Sequence, residues 1–250
     1  MRQTKLGGLD VRITGGTDGS GAGDGPLVVL LHGFGAPGDD LVPLWRAFDI
    51  RAASAVRFAF PEAPIALGGP YAAGRAWWWI DLDARAARAM AQARGESAWD
   101  IEEVPEGLAS ARARVVAMLE EVTAALRPSK TVLGGFSQGA MLSLDVALAT
   151  GSDADAAHAV PLAGLLLLSG THIAANEWRA HLESGARRGL RVFMSHGRAD
   201  PLLSFMTAER LRGALTDAGL AVDWLPFGGG HGIPPEVVIA LGKFLSETLV

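Results

Sequence analysis

Cysteine is absent from this 250-residue chain. That removes disulfides, thiol nucleophiles and cysteine-based metal sites in one step, and it fits a reducing compartment. Also missing is any apolar run near the ~20 residues needed to cross a bilayer. The opening stretch Met1-Arg2-Gln3-Thr4-Lys5-Leu6-Gly7-Gly8 lacks the apolar segment of a secretory signal. The expectation is a cytoplasmic protein with no integral membrane segment. Positive charge is scarce: 22 Lys and Arg against 27 Asp and Glu give a formal net charge of −5. That balance argues against a non-specific nucleic-acid binder, though not against a local basic patch. The histidines lack metal-ligand spacing, and there is no glycine loop of the Walker or dinucleotide type. No metal or other cofactor is expected. No repeat or interdomain linker is visible, so residues 1–250 read as one domain.

What the chain does have is apolar residues, 49% of the total with a mean hydropathy of +0.24. Leu27-Val28-Val29-Leu30-Leu31 is a continuous apolar run, as expected of a strand buried on both faces. Similar strands are predicted over 56–60, 165–168, 191–195 and 222–227, and a weak edge strand over 9–13. Helices are predicted over 106–126, 176–186, 203–218 and 234–248, with Leu108, Val115, Leu119 and Val122 near one face of the first. Asp39 or Asp40 is placed to cap an earlier helix whose apolar face is Leu41, Leu44, Trp45 and Phe48. Residues 15–25 form a Gly/Ser/Asp-rich loop. Residues 62–103 carry no clear strand and read as an excursion over the sheet's carboxyl edge, with a short helix over 83–93. Strands alternating with helices imply an α/β fold with a mainly parallel sheet.

The stretch Thr131-Val132-Leu133-Gly134-Gly135-Phe136-Ser137-Gln138-Gly139-Ala140 passes from an apolar strand through a serine between glycines into a helical pattern. This is the strand–turn–helix setting of a nucleophile elbow, which exposes the serine hydroxyl at the top of the sheet. Side chains at Gly135 and Gly139 would collide with neighbouring strand and helix. The helix starting at Gln138 aims its amide-rich, positive end where an oxyanion would form.

A serine hydroxyl needs a base, and the base needs an orienting acid. Two residues lie on loops after later strands in the required order: Asp200, in His196-Gly197-Arg198-Ala199-Asp200-Pro201, and His231, in Gly228-Gly229-Gly230-His231. Asp before Pro is also an ordinary turn residue, and His231 also suits a surface loop. The rivals fit less well. Asp217 and Asp223 flank the opposite edge, and His158, His172 and His181 precede the acid. Asp145 lies two turns into the elbow helix, and His196 reads as a structural turn histidine. The backbone N–H groups of Phe34, after the early strand, and Gln138 are the candidate oxyanion hole. Trp77, Trp78 and Trp79 are candidates to line the substrate pocket or to pack a loop on the core, and all three cannot face one way.

Six segments in sequence order resemble the phospholipase/carboxylesterase family of α/β-hydrolases, which includes the acyl-protein thioesterases. They are Leu30-Leu31-His32-Gly33-Phe34-Gly35, Arg75-Ala76-Trp77-Trp78-Trp79, the elbow Gly134 to Ala140, Leu168-Ser169-Gly170, His196 to Pro201, and Gly230-His231. The resemblance implies an α/β-hydrolase fold with helices on both faces of the sheet. It also implies a Ser137–Asp200–His231 triad and a serine esterase acting on small-molecule carboxylic esters or thioesters. The chain departs from the family in a longer insertion near 81–105, within an excursion spanning about 62–105, and in its third tryptophan. Those departures fall near the expected pocket, so a lysophospholipase or protein-deacylating role does not carry over. A binding module on a retired hydrolase fold, or cleavage of amide or carbon–carbon bonds, is the alternative. Oligomeric state, a homodimer included, is open.

Overall fold

The computed structural model describes residues 1–50, 55–68, 71–81, 103–151 and 160–249. Among the described residues there are ten strands: β1 (Arg2–Leu6), β2 (Leu9–Gly15), β3 (Leu27–Leu31), β4 (Arg57–Pro61), β5 (Ile65–Gly68), β6 (Tyr71–Ala76), β7 (Thr131–Phe136), β8 (Gly164–Leu168), β9 (Arg191–Gly197) and β10 (Ala221–Phe227). The helices among the described residues are α1 (Leu44–Ala47), α2 (Leu108–Leu126), α3 (Gln138–Ala149), α4 (Ala175–Glu183), α5 (Phe205–Asp217) and α6 (Pro235–Leu249). Eight strands form one sheet in the order β1-β2-β4-β3-β7-β8-β9-β10. From β4 to β10 every pairing is parallel, and β1 and β2 join antiparallel at one edge.

Strand alternation explains the layers. Leu27, Val29 and Leu31 of β3 pack with Val115, Leu119 and Val122 of α2, Leu144 of α3, Trp178 of α4 and Leu211 of α5. Their neighbours Val28 and Leu30 enter a second core with Phe48 and with Val237, Leu241 and Phe244 of α6. The sheet is therefore covered by helices on both faces, as in an α/β-hydrolase. Its central strands β3 and β8 read as unbroken apolar runs because both sides are buried. Among the described residues, no helix is long and apolar enough to cross a membrane.

The position of the switch in strand order matters for function. The chain leaves β3 for β4 on one side and later returns as β7 on the other. Ligands in open parallel sheets bind at the carboxyl ends of strands beside such a switch. His32, Ser137 and Ser169 follow the ends of β3, β7 and β8, Asp200 follows β9, and His231 follows β10, so all five are delivered to one edge.

Three expectations are corrected. The strand over 9–13 is not at the edge: β2 lies between β1 and β4, and the polar Arg2-Gln3-Thr4-Lys5-Leu6 forms the true edge. The helix after β3 is a single turn with Pro43, not Asp39 or Asp40, at its N-cap. Pro37, Gly38 and Pro43 break the segment into successive turns (Asp40 N–H to Pro37 O, 3.1 Å; Leu44 N–H to Leu41 O, 3.1 Å). Residues 62–103 do contain strands: β5 and β6 pair as an antiparallel hairpin, Ile65 opposite Ala76 and Gly68 opposite Tyr71. Its Ala/Gly content hides it from β-propensity. The helix predicted over 83–93, and most of the 81–105 insertion, lie outside the described residues.

Candidate active site

Ser137 connects β7 to α3 with φ 54° and ψ −116°, a conformation that costs energy for any residue with a side chain. Tight packing holds it there. A Cβ on Gly135 would stand 2.5 Å from the Gly139 carbonyl carbon and 2.5 Å from the Leu31 oxygen, and a Cβ on Gly139 would fall on that same oxygen. The Ser137 N–H donates to Leu168 O at 2.8 Å, and its carbonyl accepts the Ala140 and Met141 N–H groups of the first helical turn. The elbow is thereby pinned to both β8 and α3, at the positive end of a 12-residue helix.

The loop after β3 abuts this serine. A Cβ at Gly33 would be 3.3 Å from the Cβ of Ser137, which puts Phe34, next in sequence, beside the elbow. His32 organises the loop. Its Nε2 accepts the Ala63 N–H at 3.1 Å, so its Nδ1 carries the proton and donates to Gly33 O at 2.8 Å. Burial lowers its pKa and keeps it neutral, despite the opposing pull of the Gly33 carbonyl. β6 ties to the same loop through Gly35 N–H to Arg75 O at 2.9 Å and Arg75 N–H to Ala36 O at 3.0 Å.

The three tryptophans divide. Trp77 and Trp78 are buried in the core at 1% and 3% exposure, whereas Trp79 is 64% exposed. Trp77 Nε1–H donates to His32 O at 2.9 Å, and Trp79 lies edge-on to Phe34 with ring centroids 6.3 Å apart. Gln138 holds the segment in place. Its Oε1 accepts the Trp77 N–H at 2.9 Å, and its Nε2 donates to Trp78 O at 2.8 Å. Sequence reasoning assigned Gln138 only a main-chain role. The available signal was an amide at the head of a helix whose residues from Gln138 to Leu148 are all buried, since a buried amide needs partners.

Asp200 and His231 meet: His231 Nδ1–H donates to Asp200 Oδ2 at 2.7 Å. The other oxygen, Oδ1, accepts the N–H groups of Leu202 at 2.8 Å and Leu203 at 2.9 Å. One carboxylate thus serves as turn residue and as histidine partner. Burial alone would raise its pKa. Hydrogen bonds from His196, His231 and the Leu203 N–H outweigh that and hold the carboxyl well below the usual range. The ring of His231 rests against Phe136, the residue before Ser137, at 4.8 Å between centroids. Ser169, fully buried at φ 48°, donates its Oγ–H to Gly232 O at 3.3 Å and its N–H to Ser195 O at 2.9 Å. It steadies the His231 loop from β8, a contact that sequence reasoning missed.

Two of the rejected acids lie elsewhere, and His158 falls outside the described residues. Asp145 accepts the Trp178 indole N–H at 2.9 Å and pairs with Arg112 at 3.2 Å in the helical layer. Asp223 pairs with Arg191 at 3.3 Å. Among the described residues, no group of three or more His, Asp or Glu side chains could hold a metal ion.

The chain is similar to known esterases and thioesterases. The chain is 30% identical to acyl-protein thioesterase 1 of Eremothecium gossypii over 231 residues, 88% of this chain and 87% of that one. It is 26% identical to acyl-protein thioesterase 1 of Neurospora crassa over 232 residues, 89% and 86% of the two chains. Among solved structures it is similar to esterase PE8, with a TM-score of 0.74 and 27% identity over 98% of this chain and 100% of that one. Residues 21–249 match the phospholipase/carboxylesterase family. The chain therefore belongs to the phospholipase/carboxylesterase family of α/β-hydrolases, and it is a serine hydrolase of the carboxylesterase type.

Proposed function

We propose that Ser137, His231 and Asp200 are the catalytic triad of this enzyme, which cleaves carboxylic esters, thioesters included, through an acyl-enzyme on Ser137. The observation that carries the reading is the 2.7 Å Asp200–His231 pair, held at the same sheet edge as a serine in the strained elbow conformation. The thioester range rests on the likeness to acyl-protein thioesterases.

With Nδ1–H engaged by Asp200, His231 has Nε2 to offer as base. It takes the hydroxyl proton as Ser137 Oγ attacks the ester carbonyl. The Phe34 and Gln138 N–H groups receive the tetrahedral oxyanion, strengthened by the α3 dipole. As the intermediate collapses, His231 passes the proton to the departing alcohol or thiol. Water, deprotonated by His231, then attacks the acyl-enzyme, and the carboxylic acid leaves as Ser137 regains its proton. Trp79 and Phe34 form the substrate-facing aromatic pair, while Trp77 and Trp78 support the loop from the core.

The test is turnover of p-nitrophenyl esters from acetate to palmitate, with Ser137→Ala alongside. The variant should lose kcat by roughly 10⁴-fold or more while keeping its fold. Rates falling beyond short acids would indicate a closed pocket, and sustained rates an open groove. A Ser137→Ala enzyme that keeps most of its activity overturns the assignment and favours a binding role.

A further inference from the structure

Asp200 has a second histidine on its reactive oxygen. His196 Nε2 lies 3.2 Å from Asp200 Oδ2, the oxygen that also engages His231, and 3.0 Å from Leu203 O. Two acceptors at one nitrogen require that nitrogen to carry the proton. Nδ1 is then a bare lone pair, and among the described residues it has no partner. The imidazole is 0% exposed, as is the Asp200 side chain. A buried histidine with an unsatisfied nitrogen is costly, and a purely structural turn would do better with an apolar residue. Among the described residues, the ionisable groups facing Asp200 are His196 on β9 and His231 after β10. The nearby Arg198 guanidinium is turned onto the Phe205 ring, 4.9 Å from its centroid.

We propose that His196 is a positioning residue for the reaction: its Nε2–H holds Asp200 Oδ2 toward His231 and takes up part of the carboxylate's hydrogen-bonding capacity. Rotation of the carboxylate is blocked on one oxygen by the Leu202 and Leu203 amides and on the other by His196. The charge that Asp200 presents to His231 is correspondingly moderated. His196 touches no substrate and acts only through Asp200. This rests on the triad reading above.

The experiment compares wild type, His196→Phe, His196→Asn, His196→Gln, Asp200→Ala and His196→Phe/Asp200→Ala on p-nitrophenyl acetate, from about pH 5 to about pH 9, the range that brackets a histidine base. Losing a hydrogen bond to a charged group should lower kcat about tenfold to a hundredfold in His196→Phe, with little change in KM. Without the competing donor, more of the Asp200 charge acts on the His231 imidazolium, so the acid limb of kcat/KM should move up by about half a pH unit. His196→Gln, whose amide N–H reaches the Nε2 position, should restore most of both. His196→Asn, too short to reach Oδ2, should behave like His196→Phe and carries the comparison if the phenylalanine does not fold. In the Asp200→Ala background, His196→Phe should cost nothing more. A wild-type rate and profile in His196→Phe, equal behaviour of Asn and Gln, or an undiminished penalty without Asp200 overturns the proposal. Substantial activity in Asp200→Ala would instead overturn the triad itself.

Discussion

Replacing Gln138 with methionine keeps the length of the side chain but removes both of its hydrogen bonds. The amide is fully buried, and it is the partner of the Trp77 N–H at 2.9 Å and of Trp78 O at 2.8 Å. Gln138→Met strands two buried main-chain groups, each at about 1–3 kcal/mol. Methionine's easier burial returns about 1 kcal/mol. The net loss is then about 1–5 kcal/mol, and at about 2–4 °C per kcal/mol for a chain of this size, Tm should fall by roughly 2–20 °C. Activity should fall with it. Trp77 also donates to His32 O at 2.9 Å, so loosening the tryptophan segment loosens the loop that presents Phe34. Gln138→Glu should be worse, because it keeps the acceptor but sets a carboxylate against the Trp78 carbonyl. Calorimetry and kcat/KM on a short ester read both effects. A methionine variant that melts within about 2 °C of wild type, with unchanged kinetics, would refute the claim that this amide holds the site together.

Trp79→Ala should change Tm little, since the ring is 64% exposed, yet it should alter the relative rates on short and long acyl esters; an unchanged chain-length profile would contradict its substrate-facing role. Ser169→Ala keeps the strained φ of 48° but loses the bond to Gly232 O, so kcat should fall about threefold to tenfold with the fold intact, and wild-type kcat would contradict the role given to this contact. Stability should decline as the pH drops below about 6.5, because buried imidazoles resist protonation that the unfolded chain accepts. Burial lowers the pKa of His32, and burial with the Arg179 cation lowers that of His172 to about 4. Their contribution is complete above the unfolded-state pKa of about 6.5 and is lost as the pH falls toward the folded values. His172→Phe, which can keep the stacking on Trp178, should flatten that decline between pH 6.5 and pH 4. A wild-type Tm that holds steady or rises on acidification would contradict this.

The elements legible in the sequence are those whose information is local. β3 and β7 to β9 declare themselves as largely apolar runs because both faces are buried, and the α2 stripe of Leu108, Val115, Leu119 and Val122 is buried as its spacing implies. Ser137 is legible because an elbow needs small residues on both sides of the serine. What escaped was non-local or composed of unremarkable residues. The β5–β6 hairpin is built largely from Ala and Gly, and β1 alternates too weakly to stand out. The Gln138 clamp joins residues about 60 positions apart, and nothing local in Gln or Trp announces such a pairing. His196 looked like a turn residue because its partner is chosen by the way Asp200 folds back over the end of β9. The tryptophan triplet showed that its rings must diverge. Which ring faces out is decided by the Gln138 clamp.

The central claim is that Ser137 is a nucleophile activated by His231, and covalent capture tests it most directly. The protein is incubated with a fluorophosphonate, and the adduct is mapped by peptide mass spectrometry. Rapid, stoichiometric labelling confined to Ser137, abolished by Ser137→Ala and slowed by orders of magnitude in His231→Ala, is the predicted result. Labelling at another residue, or an intact protein whose Ser137 does not react, would contradict it.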